Sequence, residues 1–256
     1  MNSFYTTDRG QYTPTDYVTG PWDDDHCHAG PPCALLTHGI HSVAMHMGMS
    51  RITFEIERQI PKRPVRIHTE VLRGGRKVQL IKGQLIGDDG RTYLTAHAWL
   101  MRIDTTVAPT VAWDGPLPKP VKDSPHFGMS FHDTTDIFDG TDLRTAAGTP
   151  FGEGPATVWV RQRYPLIEGQ VVSPYSTMVF ACDWPNGFAR LATFDKLIAI
   201  NTDLTVYFAR KPVGDWIAME AKTISQGLGL GMTDSLVYDA SGFVGRSNQS
   251  IFFDAT

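Results

Sequence analysis

A helix opening followed by four strand-like stretches occurs twice in this chain, and the second copy keeps the register of the first. In the first copy Gly30-Pro31-Pro32 opens a run with Ala34, Leu35, Leu36, Ile40 and Val43 at helical spacing. Strands are then expected over Arg51–Glu57, Val65–Leu72, Lys77–Ile86 and Arg91–Ile103. In the second copy Ser173 is a candidate N-cap and Pro174 the first residue of a helix that ends near Asp183, where Pro185-Asn186-Gly187 breaks it. Strands are expected over Asp203–Arg210, Trp216–Ile224, Leu230–Tyr238 and Phe243–Phe253. An offset of 152 residues puts Thr53 on Thr205, Arg58 on Arg210, Gly75 on Gly227 and Gly90 on Gly242. Four identities prove nothing by themselves. The strand edges, turn glycines and apolar faces coincide as well: Val65 and Ile67 fall on Ile217 and Met219, and Trp99-Leu100-Met101 on Ile251-Phe252-Phe253. The helices need a smaller offset.

A long antiparallel sheet wrapped around one helix, twice in one chain, specifies an α+β double hotdog: two tandem antiparallel sheets, each around a central helix. The expected division is an N-terminal hotdog over residues 1–104, a linker and surface loop over 105–150, rich in Pro, Asp, Thr and Gly, and a C-terminal hotdog over 151–256. A formal net charge of −4 argues against a general nucleic-acid binder, which needs a basic surface to neutralise phosphates. Cys27, Cys33 and Cys182 form no CxxC pair, so a disulfide framework is not expected and a reducing, cytoplasmic setting is. No apolar run approaches the ~18 residues of a membrane span, and no basic-then-apolar leader opens the sequence. Sheets of this kind expose edges and a broad face, so a homodimer or homotetramer is expected.

"HAGPPCALL", together with "INTDLTVYFARKPVGDWIAMEAKT" and "GRSNQSIFF", resembles the TesB-like (type II) acyl-CoA thioesterases over residues 20 to 103 and 157 to 253. The resemblance implies hydrolysis of an acyl-CoA thioester without a metal or other cofactor. It also implies three catalytic polar residues in the second copy: an aspartate late in the helix, a hydroxyl residue opening the next strand, and a glutamine on the last strand. The aspartate falls on Asp183 and the glutamine on Gln249. The hydroxyl position falls on Asn201, a departure, with Thr202 beside it as the alternative. Candidate substrate-binding residues are His28 and Gly30 at the first helix opening, with Asn186 and Gly187 in "WPNG".

Thioester hydrolysis needs a deprotonated water and donors set in place for the developing oxyanion. Asp183 would be the base, Asn201 and Gln249 would orient the water, and N–H groups near the helix opening would hold the oxyanion. Phe180, Phe188, Met178 and Tyr207 are the expected walls for the acyl tail. The plain readings are a helix stop at Asp183 and an Asx-turn at Asn201. At the 152 offset Gln249 falls on His97 and Asn201 on Met49, which gives one active site per chain. Asp203 is expected to salt-bridge to Arg210 or Arg246. "DDDHCH", residues 23–28, reads as a solvated loop, "GLGLG" as a softened strand, and Arg73, Arg76 and Lys77 as an exposed hairpin with CoA phosphates as an alternative partner. Two rival functions remain open: a non-catalytic acyl-CoA or lipid-binding module, and an enoyl-CoA hydratase, whose histidine "CDWPNGFAR" lacks.

Overall fold

The computed structural model describes residues 2–130 and 132–256. The first half runs β1 (Tyr5–Asp8), β2 (Gln11–Pro14), α1 (Gly30–Ser42), β3 (Met47–Ile56), β4 (Val65–Arg73), β5 (Val78–Gly87) and β6 (Thr92–Arg102). The second runs β7 (His126–Phe127), β8 (Thr141–Ala147), β9 (Ala156–Gln162), α2 (Pro174–Cys182), α3 (Pro185–Phe188), β10 (Ile198–Asn201), β11 (Asp203–Phe208), β12 (Ile217–Ser225), β13 (Leu230–Asp239) and β14 (Gly242–Asp254). All eight expected strands are present, with β3 reaching back to Met47. Both helices begin at their prolines or one residue before, and the Ser173 hydroxyl accepts from the Tyr175 N–H (3.3 Å), as an N-cap does.

The expectation of two separate sheets is corrected. The strands form one antiparallel sheet in the order β1-β2-β4-β5-β6-β3-β11-β14-β13-β12-β9-β8-β7, with β10 on β14 off that path. The inner edges, β3 and β11, pair with each other, which satisfies N–H and C=O groups that two separate sheets would leave open. Thr53 faces Thr205 in that pairing, and their hydroxyls lie 3.2 Å apart. Through β8, the strand order reads alike from either end, so the halves are related by a local twofold through this threonine pair.

The twofold also corrects the register of the last strand. Across from Thr53 stands His97, and across from Thr205 stands Asn248. The offset is therefore 152 through β3, β4 and β5 but 151 in β6, so that Gln249 corresponds to buried Ala98 and not to half-buried His97. A one-residue slip exchanges the two faces of a strand, and only the shorter offset keeps Gln249 on the inner face.

Residues 105–150 are not all connector, since β8 pairs with β9 along Thr141 to Ala147. Nor do the halves separate cleanly: the Phe4 and Tyr5 N–H groups donate to the Pro165 and Leu166 carbonyls (3.1 and 2.9 Å). The helices lie against each other under the sheet. Gly30 permits that approach, because a Cβ there would come within 2.8 Å of the Phe180 carbonyl oxygen.

Candidate active site

The opening of α1 and the end of α2 meet, and the chemistry gathers there. Asp183 is the C-cap of α2 and only 5% exposed. Its Oδ1 accepts from Asn201 Nδ2 at 2.9 Å, and its Oδ2 lies 3.0 Å from His28 Nδ1. Gln249 Nε2 donates to the Asp183 carbonyl at 3.4 Å, while Gln249 Oε1 is buried without a partner. Asn186 Nδ2 reaches Asn201 Oδ1 at 3.5 Å, the outer limit of a hydrogen bond. Asp183, Asn201, Gln249, His28 and Asn186 thus converge, although His28 comes from the first half.

His28 Nδ1 accepts from the Gly30 N–H at 3.1 Å and lies 3.0 Å from Asp183 Oδ2, an ion-pair contact without hydrogen-bond geometry. The ring packs at 4.6 Å on Trp184.

The Asn201-Thr202-Asp203 cluster is a break between two strands. Asn201 ends β10 opposite Ile251 of β14, and after the break β11 follows β14 in a different register. Asp203 Oδ1 accepts from the Ser250 N–H (2.7 Å) and covers the gap, so the expected salt bridge is corrected. Arg210 instead pairs with Asp239 at 2.6 Å, and Arg246 lies 3.5 Å from Asp234. Thr202 is exposed and makes no bond to Asp183, so Asn201 is the residue of this break that touches the aspartate.

A cavity of about 220 Å³ opens beside the cluster. His28, Asp183, Asn201, Asn186 and Gly187 line it, with Trp22, Phe151, Trp184 and Phe194 as aromatic walls and Arg58 and Arg190 as cations. The expected walls are corrected: Met178, Phe180 and Phe188 are buried in the core and Tyr207 is 48% exposed, none of them on the cavity. Met178 and Phe180 sit within α2, Phe188 on α3 and Tyr207 on β11, whereas the cavity lies at the end of α2. Gly30 does not line it either and serves helix packing. Pro31 and Pro32 have no N–H, so the opening of α1 offers Gly30 alone as a donor among its first three residues. Sequence patterning missed Trp22, Arg58, Phe151, Arg190 and Phe194, which sit in irregular segments that carry no periodic signal. Arg73, Arg76 and Lys77 stand on the β4–β5 turn, away from the cavity.

Comparisons with known proteins fit this geometry. Residues 18–101 match the family model for the acyl-CoA thioesterase N-terminal domain, and residues 107–253 the model for the C-terminal domain. The chain belongs to the acyl-CoA thioesterase family. The thioesterase is also similar in fold to three solved proteins at low identity. A candidate thioesterase II from Thermobifida fusca is 17% identical, with a TM-score of 0.75 over 97% of this chain and 94% of that one. A hot-dog-fold protein from Alicyclobacillus acidocaldarius has the same identity and score over 98% and 96%. The acyl-CoA thioesterase II TesB2 of Mycobacterium marinum is 16% identical, with a TM-score of 0.67 over 97% and 94%. No curated protein sequence matches the chain. The fold is a hotdog fold, and the enzyme is a TesB-like thioester hydrolase acting on acyl-CoA. Among the described residues no helix is long and apolar enough to cross a membrane.

Proposed function

We propose that the enzyme hydrolyses acyl-CoA with a water activated at Asp183. The observation that carries this reading is the buried carboxylate on the cavity wall, held by the Asn201 Nδ2 donor with the His28 ring beside its other oxygen. One donor fixes its orientation and leaves lone pairs for a water. The unpartnered Gln249 Oε1, which does not itself line the cavity, is a second acceptor, and a water that reached it from Asp183 would donate one hydrogen to each. Attack on the thioester carbonyl moves a proton from water to Asp183. Collapse of the tetrahedral intermediate breaks the C–S bond, and that proton leaves with the CoA thiol. Asn201, with its amide donor turned to the carboxylate, orients the base more than the water, a role a threonine hydroxyl could share. Free-thiol release from a panel of acyl-CoAs, compared with Asp183→Asn, tests the reading. Turnover should fall by about 10³-fold or more if Asp183 supplies the base; a variant within tenfold of wild type overturns it.

In this reading the chain is a double hotdog whose two units share one sheet, the second carrying the catalytic groups and the first supplying His28 and part of the cavity wall. We place the enzyme in the cytoplasm, where its three buried free cysteines stay reduced. We assign it a dimeric or tetrameric state, supported by outward apolar side chains at Ile224, Leu230, Met232 and Phe252, and at Leu72 and Met101 in the other half. Light scattering at micromolar concentration that gives a monomer mass would remove that assignment.

A further inference from the structure

Arg190 lines the catalytic cavity yet is only 4% exposed, and among the described residues it makes no ion pair. Its Nε donates to the Ala192 carbonyl at 2.9 Å and its Nη2 to the Leu197 carbonyl at 2.6 Å. The guanidinium carbon lies 3.6 Å from the centre of the Phe194 ring. One edge of the fork and one face of the plane are thereby held still. The other edge, Nη1 with the second Nη2 hydrogen, has no acceptor among the described residues. Burial without a carboxylate also lowers the pKa of the group, by desolvation. A buried, immobilised and uncompensated guanidinium costs stability unless something else meets it, and its free edge matches a carboxylate in two parallel hydrogen bonds.

We propose that Arg190 is an anion subsite for a carboxylate borne by the acyl group, so that preferred substrates are CoA thioesters of dicarboxylic acids. The inference rests on the thioesterase site described above and adds its substrate class. The alternative source of an anion is CoA itself, but its pyrophosphate lies a full pantetheine arm from the thioester, about the reach of four to five extended residues or roughly 15 Å. A cavity of about 220 Å³ holds only the part of the substrate near the reacting carbonyl. Exposed Arg58 on the same wall is better suited to the hydrated phosphates.

The test compares kcat/KM for hexanoyl-CoA and octanoyl-CoA with the ω-carboxy thioesters of the same lengths, in wild type, Arg190→Gln and Arg190→Lys. Wild type should favour the carboxyacyl substrates, and in Arg190→Gln the carboxyacyl-to-plain ratio should fall by about 10- to 100-fold, the range for losing a hydrogen-bonded charge. Arg190→Lys, which keeps a cation without the fork, should retain part of the ratio. An unchanged ratio would mean that Arg190 only braces residues 190–197. A loss that follows the affinity for free CoA would move the anion to the phosphates. Either result overturns the proposal. Binding of free octanedioate, measured by calorimetry, needs no turnover: wild type and Asp183→Asn should both bind it and Arg190→Gln should not. If wild type releases no thiol from any substrate but binds octanedioate, the catalytic reading fails and the subsite stands. If Arg190→Gln fails to fold, the wild-type ratio and the lysine variant decide.

Discussion

Asn201 links the strand break to Asp183, the proposed base, and its removal has a calculable cost. The Nδ2 group donates to a 5% exposed carboxylate at 2.9 Å. Hydrogen bonds to charged groups are worth about 1.5–3 kcal/mol, which corresponds to a fall in kcat/KM of roughly 10- to 150-fold if the bond is retained in the transition state. Asn201 is itself half-buried, so Asn201→Ala is expected in the lower part of that range, about 10- to 50-fold. Its backbone pairing with Ile251 does not depend on the side chain, and the melting temperature should move by only a few degrees. Asn201→Asp separates electrostatics from geometry. It puts a second carboxylate beside Asp183, and two carboxylates so close cannot both ionise freely. Asn201→Asp should therefore lose more activity than Asn201→Ala. Thiol-release kinetics and a thermal melt measure both quantities. If Asn201→Ala stays within twofold of wild type, the bond is incidental and the catalytic assignment of this residue is wrong.

Burial pushes the Cys27 thiol up to about 12 and raises Cys33 and Cys182 as well, so a thiol reagent at pH 8 should label none of the three in the native enzyme and all three after denaturation. His38 and His41 are held below the ordinary histidine value of 6.5, in each case chiefly by burial. The unfolded chain therefore binds their protons first: stability is fully present above about pH 6.5 and declines as the pH falls toward the lowered native values, a slope that His41→Gln should reduce in pH-dependent melts. Asp239, with no side-chain exposure, takes Arg210 through two bonds of 2.6 Å and the N–H groups of Val213 and Ser241 at 2.8 Å. Asp239→Ala should cost about 3–5 kcal/mol in denaturant unfolding, and a loss under 1 kcal/mol would show the pair to be dispensable.

Much of the sheet was legible because one inward face writes an alternation into each long strand, and the helix openings because proline has few places in a helix. β9 escaped since residues 156–160 are all buried and show no alternation. β1, β2 and β10 are four residues each, too short for a period to register. Asp183, Asn201 and Gln249 were found through family likeness, and their meeting requires α2, β10 and β14 to fold together. His28 is expected at the substrate, but its 3.0 Å contact with Asp183 joins distant parts of the chain and no local pattern encodes it. Arg58 and Arg210 occupy equivalent positions with different fates: Arg210 is tied to Asp239, whose counterpart in the first half is Gly87, so Arg58 remains free to line the cavity.

The twofold implies a second location, at the opening of α2 and the end of α1, where another substrate could in principle bind. The inner faces differ in kind. Thr233, Ser235, Ser247 and Gln249 in the second half replace Ile81, Gly83, Ala96 and Ala98 of the first, and two of their oxygens, on Ser235 and Gln249, are buried without partners among the described residues. An apolar inner face offers nothing to hold a water. The equivalent helix junction is also filled with side chains: the His41 and Tyr175 rings lie 5.0 Å apart, Tyr175 and Phe208 are 5.0 Å apart, and the Ser173 N–H donates to His38 Nδ1 at 3.4 Å. One acyl-CoA per chain should therefore bind to Asp183→Asn in calorimetry, in which turnover does not blur the titration. His41→Ala combined with Tyr175→Ala would open space at the second location without supplying a carboxylate, and should not raise that stoichiometry. Two sites per chain of similar affinity in Asp183→Asn would show that duplication of the sheet preserved two pockets, and that the polar inner face is not what selects the catalytic half.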